Sequence, residues 1–159
     1  MEKEALHTTK RIAGNPLKKR GARLIAVQVL YSIDIDSVSG KTSDEKLLDI
    51  ISMYENELSE MKISKSDQPH IIKLVRFVST NREDVDSKIS ANLLDNWKIE
   101  RLPKVVLAIL RSGVAELFMD KSLDKKVVIS EYLEIAKSLN HGGESGFINL
   151  VLDRVSEGR

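Results

Sequence analysis

Arg20, Arg23, Gln28 and Tyr31 are spaced so that one helix could present two guanidinium groups, an amide and a phenol ring side by side. That set suits an RNA strand: guanidinium groups pair bidentately with phosphate, and an aromatic ring offers a face on which an unpaired base can stack. With Arg20 at 0° and about 100° per residue, Arg23 falls near 300°, Val27 near 340°, Tyr31 near 20° and Gln28 near 80°. The apolar set Ala22, Ala26, Val29 and Ile33 centres near 210°, so the arginines and Tyr31 are expected on the face turned away from the core. Lys18 and Lys19, at the entry to the helix, would add affinity through counterion release with little base discrimination. Four phosphate contacts, from Lys18, Lys19, Arg20 and Arg23, would give log affinity a slope of about −2.8 against log salt for a single strand. On composition alone the blander reading carries more weight, with Tyr31 a half-buried bundle aromatic and the charges a solvated face.

Charge supports a polyanion partner at this end of the chain. Residues 1–23 carry seven basic and two acidic side chains, net +5, whereas the remainder carries 18 basic and 22 acidic, net −4. The overall +1 conceals this asymmetry. Lys10 and Arg11 precede Gly14, Asn15 and Pro16, in a segment read as a flexible tail over residues 1–16, and are left out of the candidate site. The absence of cysteine removes disulfides, thiolate metal sites and cysteine nucleophiles. Three histidines far apart in sequence make a histidine metal site improbable, so no cofactor or metal is expected. No apolar run reaches the roughly 18 residues of a membrane span, which points to a cytoplasmic protein without a membrane partner.

Apolar residues recur at helical spacing along the chain and no alternating strand is evident, so the expected fold is all-α, a bundle of six to seven helices in two subdomains. The first helix spans Leu17 to Ile35, although Gly21 could delay its start. A second carries Leu47, Ile51, Tyr54 and Leu58 behind a capping box of Thr42 and Glu45. A third starts near Asp67, with Pro69 in its first turn, and continues to Ile89. Pro103 opens a fourth, Asp124 caps a fifth from Lys126 to Leu139, and Asn140 to Gly143 end it. The last, from Ser145, is apolar on nearly every side and should lie inside the bundle.

The order of particular residues is more specific than periodicity. Arg20-Gly-Ala-Arg23 followed by Ala26-Val-Gln-Val-Leu-Tyr31, then Trp97 with Arg101-Leu102, Ala108-Ile-Leu-Arg111 with Glu116-Leu117, Val128-Ile with Glu131, Glu134-Ile-Ala-Lys137, and Phe147-Ile-Asn149 with Val151-Leu-Asp153 resemble the NusB family of bacterial transcription antitermination factors. The resemblance covers roughly residues 17–156 of a single domain running from 17 to 159. It implies a non-enzymatic RNA-binding protein that engages the boxA element of ribosomal RNA leader transcripts with NusE, a small-subunit ribosomal protein. It further implies that the pair promotes readthrough by RNA polymerase through the elongation complex and other Nus factors. Lys18, Lys19, Arg20, Arg23, Gln28 and Tyr31 become the RNA-binding candidates. Monomer and homodimer are both open. The sequence departs from the family pattern at Leu107, Ser130 and Leu150, where arginine, asparagine and glycine are common.

Arg111, Glu116 and Glu131 are weaker candidates for a partner interface, because inward-pointing charges in a bundle more often pair with another helix. Trp97 is expected to anchor a subdomain, and Asn149 to satisfy buried backbone groups. The loop His141-Gly-Gly-Glu-Ser-Gly lacks the context of a phosphate loop or nucleophile elbow. Asp34, Asp36, Glu83, Asp84 and Asp86 lack the spacing of a calcium loop and are read as solvated helix ends. Two other functions remain open: a ribosome-assembly factor related to the helical domain of ribosomal RNA cytosine methyltransferases, and a helical adaptor that uses Leu24 and Val27 for protein contact.

Overall fold

The computed structural model describes residues 16–35, 44–60 and 68–159, and among them every regular element is helical. The expectations for residues 1–15 of the tail, Asp36, Thr42 and Asp67 lie outside the described residues, as do the side chains of Lys18 and Lys19, whereas Pro16, expected in the tail, is the first residue of a helix. Helix α1 (Pro16–Ile35) starts on a proline, whose missing N–H is one of the donors a first turn leaves unpaired in any case. It runs unbroken through Gly21, so the delayed start is corrected. Gly21 is buried, and packing around it outweighs a helix penalty of about 1 kcal/mol.

Two predicted helices are each divided, and this takes the described count of α-helices to eight. Leu47 to Leu58 is split into α2 (Asp44–Ser52) and α3 (Glu55–Glu60) by a turn at Met53 and Tyr54. The Tyr54 hydroxyl donates to the Gln28 carbonyl oxygen (3.3 Å) and lies 2.9 Å from Ser32 Oγ, tying this turn to α1. The third predicted helix is split at Asn81 into α4 (Gln68–Thr80) and α5 (Arg82–Ala91). There the Asn81 side-chain amide joins its own backbone N–H in donating to the Phe77 carbonyl, each at 2.9 Å, the local competition that favours asparagine at a break.

Helix α6 (Lys104–Met119) follows Pro103 as expected and forms the centre of the molecule. Every residue from Val106 through Leu117 is buried, because α6 packs against α1, α4, α5, α7 (Lys125–Ser138) and α8 (Ser145–Ser156). The interior position anticipated for α8 therefore belongs to α6. Ile148, Val151, Leu152 and Val155 of α8 face the core, whereas Asn149 and Leu150 are exposed. The structural role expected of Asn149 is accordingly corrected. A Cβ at Gly113 would lie 2.9 Å from Leu152 Cδ2, so glycine lets α8 approach α6 closely. The apolar side chains of both halves merge into one core cluster.

Asp124 caps α7, its carboxylate accepting from the Lys126 N–H at 2.9 Å. At the other end, His141 N–H reaches the Ala136 carbonyl (2.7 Å) and Asn140 N–H reaches that of Lys137 (3.1 Å). This pair of bonds is a Schellman closure, with Asn140 at φ 62° in the left-handed position usually taken by glycine. Gly142 and Gly143 belong instead to a 3₁₀ turn (Gly142–Glu144) leading into α8. A second 3₁₀ turn, Ile99–Arg101, precedes α6. Trp97, half exposed, lies against Phe147 with ring centroids 5.5 Å apart and ring planes tilted by 44°, so it closes the surface between these segments and is not a central anchor. No helix among the described residues is long and apolar enough to cross a membrane.

Candidate nucleic-acid interface

Helix α1 is enclosed on more sides than a one-sided amphipathic pattern suggests. It packs on α4, α6, α7 and α2, and Arg23 and Val27 are buried along with the expected apolar positions. The remaining partly or fully exposed stripe is Arg20, Leu24, Gln28, Tyr31, Ser32, Asp34 and Ile35. Arg20, Gln28 and Tyr31 thus share the outer stripe, as the wheel indicates. Arg23 does not: it is 6% exposed. Val27 is also removed from any adaptor surface.

Arg23 points between α6 and α7. Its Nε donates to both carboxylate oxygens of Glu116 at 2.8 and 2.9 Å, its Nη2 donates to Oε2, and its Nη1 lies 3.5 Å from Glu131 Oε1. Glu116, 2% exposed, also accepts from the Tyr132 hydroxyl at 2.8 Å, and that hydroxyl lies 2.9 Å from Ser112 Oγ. Burial lowers the proton affinity of Arg23, but the Glu116 hydrogen bond and charge more than offset it and the guanidinium stays charged. Burial, followed by the Glu116 charge, pushes the Tyr132 hydroxyl well up, so it remains a neutral donor.

Just outside this network, Arg20 forms a two-pronged pair with Glu131, Nε to Oε1 at 3.0 Å and Nη2 to Oε2 at 2.8 Å. The hydrogen bond raises the Arg20 proton affinity and holds the Glu131 carboxyl below the usual range. With 37% of its side chain exposed, Arg20 is the arginine of this pair that can also meet a phosphate. Two of the residues expected on a partner interface, Glu116 and Glu131, are therefore the intramolecular partners of two residues expected on RNA.

Arg111, the third interface candidate, is likewise turned inward. It donates to both oxygens of Asp86 (2.9 and 3.0 Å) and lies 3.7 Å from Asp34, which also pairs with Arg82 (3.2 Å) and Lys104 (3.4 Å). This chain of charges joins the end of α1 to α5 and α6, so Asp34 and Asp86 are not the solvated helix ends expected of them. Arg111→Ala is expected to cost about 1–3 kcal/mol, a moderate loss because Asp34 and Asp86 keep Arg82. Urea unfolding midpoints measure it, and the folded variant should keep wild-type RNA affinity.

The exposed stripe borders a small cavity of about 220 Å³ lined by Val27, Gln28 and Tyr31 of α1, Val105 from the first turn of α6, and Leu139 at the end of α7. Val105 and Leu139 escape sequence reasoning because nothing local links them to α1.

A profile of the NusB family matches residues 20–157, from Arg20 of the stripe to the last turn of the final helix. The chain belongs to the NusB family. It is 36% identical over 147 residues to the transcription antitermination protein NusB of Caulobacter vibrioides, covering 91% of this chain and 97% of the relative. It is 33% identical over 139 residues to that of Clostridium botulinum, covering 87% and 98%. Among solved structures, Thermotoga maritima NusB superposes with a TM-score of 0.70 at 27% identity, over 87% of this chain and 89% of that one. NusB from a complex of antitermination factors NusB and NusE with double-stranded RNA superposes with a TM-score of 0.68 at 27% identity, over 89% and 98%. NusB-family membership and the helical architecture agree in covering nearly the whole described chain.

Proposed function

We propose that this chain is a transcription antitermination factor that binds boxA RNA of ribosomal RNA leader transcripts together with NusE, a small-subunit ribosomal protein, and promotes readthrough by RNA polymerase. The observation that carries this reading is the near full-length likeness to NusB in a complex with NusE and RNA, joined to a stripe on α1 with features suited to RNA. On that stripe Arg20 supplies a phosphate contact, Tyr31 a stacking face and Gln28 a polar edge, while Lys18 and Lys19 extend the cationic entry. Arg23 supports the site from beneath by holding α1 against α6. The function is binding and assembly without catalysis, carried out in the cytoplasm.

The test is fluorescence anisotropy of a labelled boxA RNA against a scrambled RNA, with the protein alone and with its cognate NusE. Preference for boxA that strengthens with NusE supports the reading, whereas equal binding to both RNAs would leave only a general role in ribosome assembly. Tyr31→Ala is expected to weaken boxA binding by roughly 5- to 150-fold, the value of one stacked base, with thermal stability nearly unchanged. Because Arg23 is buried, three phosphate contacts remain from Lys18, Lys19 and Arg20. The expected salt slope falls to about −2. A slope near zero would eliminate the cationic stripe as the binding surface.

A further inference from the structure

We propose that the RNA strand is held beyond Tyr31 by a phosphate site made of Lys104, the first residue of α6, and Arg82, the first residue of α5. This inference rests on the RNA-binding reading above and adds to it a contact outside the first helix. A base stacked on Tyr31 is fixed in register only when a phosphate close to it is held as well. Arg20 lies 11 residues back along α1, about 16 Å at the helical rise, which is several nucleotides even along a stacked strand. The cation for the stacked nucleotide must come from another element.

Asp34, one turn beyond Tyr31, brings two such cations to this end of the stripe. Lys104 Nζ lies 3.4 Å from its Oδ2, and Arg82 Nη2 lies 3.2 Å from its Oδ1. Residues three apart on a helix are surface neighbours, so both cations are held beside the phenol ring. Val105, next to Lys104, gives a second and independent placement: it lines the same small cavity as Tyr31 and Gln28, so the start of α6 borders the ring.

Both groups are open to an outside anion. Lys104 has 51% of its side chain exposed and Arg82 has 41%, whereas Arg111 behind them has 7%. Asp34 Oδ2 makes no hydrogen bond among the described residues, so Lys104 is drawn to it by charge and keeps its ammonium donors for another acceptor. Arg82 divides two contacts between Asp34 (3.2 Å) and Asp86 (3.4 Å), both longer than the roughly 2.7–2.9 Å of a well-formed charged hydrogen bond. Asp86 is the two-pronged partner of Arg111. The cluster thus sets three cations against two carboxylates, and its surplus of one positive charge lies at the surface with Lys104 and Arg82. A phosphate diester carries the single negative charge that matches it. The first turn of α6 contains no acid, so its unpaired N–H groups add to the same potential.

The experiment measures anisotropy of labelled boxA RNA across a range of salt for wild type, Lys104→Gln, Lys104→Arg, Arg82→Gln and Lys125→Gln, first without NusE and then with it. Lys125 pairs with Asp153 between α7 and α8 and controls for diffuse charge. Urea midpoints confirm folding. Lys104→Gln removes one loose contact and decides the question where Arg82→Gln proves less stable. Two phosphate contacts added to those of Lys18, Lys19 and Arg20 steepen the expected wild-type slope from about −2 to about −3.5. Lys104→Gln and Arg82→Gln should each weaken binding roughly 2- to 5-fold and each take about 0.7 off the slope. Lys104→Arg should keep both values, and Lys125→Gln should change neither. Lys104→Gln should also cost less when Tyr31 is already alanine, because ring and cation hold the same nucleotide. Wild-type affinity and slope in the folded glutamine variants would overturn the site, as would an equal loss in Lys125→Gln. Additive losses for Tyr31→Ala and Lys104→Gln would overturn its placement beside the ring. A loss seen only with NusE present would assign the two cations to a protein partner and overturn the phosphate site. Failure of the wild type to bind boxA RNA under either condition would instead overturn the RNA-binding reading, and the site with it.

Discussion

Replacing Arg23 with alanine is expected to destabilise the fold by about 3–5 kcal/mol, because it leaves the carboxylate of Glu116 buried without its cation. For a domain of this size the thermal midpoint should fall by roughly 10 °C. Glu116 has the Tyr132 hydroxyl as a remaining donor, but a single neutral hydrogen bond does not replace a bidentate guanidinium. The network need not be the most stable way of filling this space. A buried pair can often be replaced by apolar side chains of similar volume at little cost, so Arg23→Met combined with Glu116→Leu should recover most of the loss. Urea unfolding of the wild type and the variants checks both statements. A wild-type midpoint for Arg23→Ala would mean the guanidinium is in solvent, as the helical wheel implies. RNA binding by Arg23→Ala, measured where the protein is still folded, should be close to that of the wild type.

Tyr132→Ala is expected to cost a similar amount, about 3–5 kcal/mol, for a different reason. Tyr132 is fully buried at the junction of α6 and α7, so truncation opens a cavity the size of a phenol ring and removes a donor to Glu116. Tyr132→Phe separates the two effects, since it keeps the ring and loses only the hydroxyl, and should cost about 1.5–3 kcal/mol. It also carries a pH signature. The folded state holds the Tyr132 proton more tightly than the unfolded chain does, through burial first and the Glu116 charge second. Stability from this group is therefore fully present below the ordinary tyrosine value, near pH 10, and declines as pH rises above it. Tyr132→Phe should flatten that alkaline decline. Glu131 acts at the other end of the scale: the Arg20 hydrogen bond lowers its folded value, so its contribution is present above the ordinary glutamate range and is lost as pH falls below it. Thermal midpoints across pH, with Glu131→Gln as the acid-side control, test both directions.

The two networks change what the cationic end of the chain means. Arg20 and Arg23 contribute to the excess positive charge of residues 1–23, yet each is paired with a glutamate more than 90 residues away. Arg23 is removed from any outside partner and Arg20 keeps one side open. The charge asymmetry is therefore weaker in the folded protein than along the chain, and the case for RNA binding moves from arginine number to the composition of the stripe.

What the sequence by itself determined was everything that depends on near neighbours along the chain: the helical class, the cap at Asp124, the start of α6 behind Pro103, the end of α7 at Asn140, and the ordered motifs of the NusB family. These follow from backbone hydrogen bonding and side-chain periodicity within a few residues. The breaks at Tyr54 and Asn81 were less legible, because apolar periodicity continues across both and the interruptions are marked only by a tertiary bond from Tyr54 to α1 and by a single local amide bond at Asn81. Tertiary structure alone decided which way Arg23 faces, which partners the ion pairs expected of Arg111 and Glu116 take, and that Val105 and Leu139 join Gln28 and Tyr31 around one cavity. A helical wheel assigns a single apolar direction, and α1 has neighbours on several sides. Whether a charged residue at its flank is solvated or buried depends on where the opposite charge lies, and here α6 and α7 place that charge in space from far along the chain.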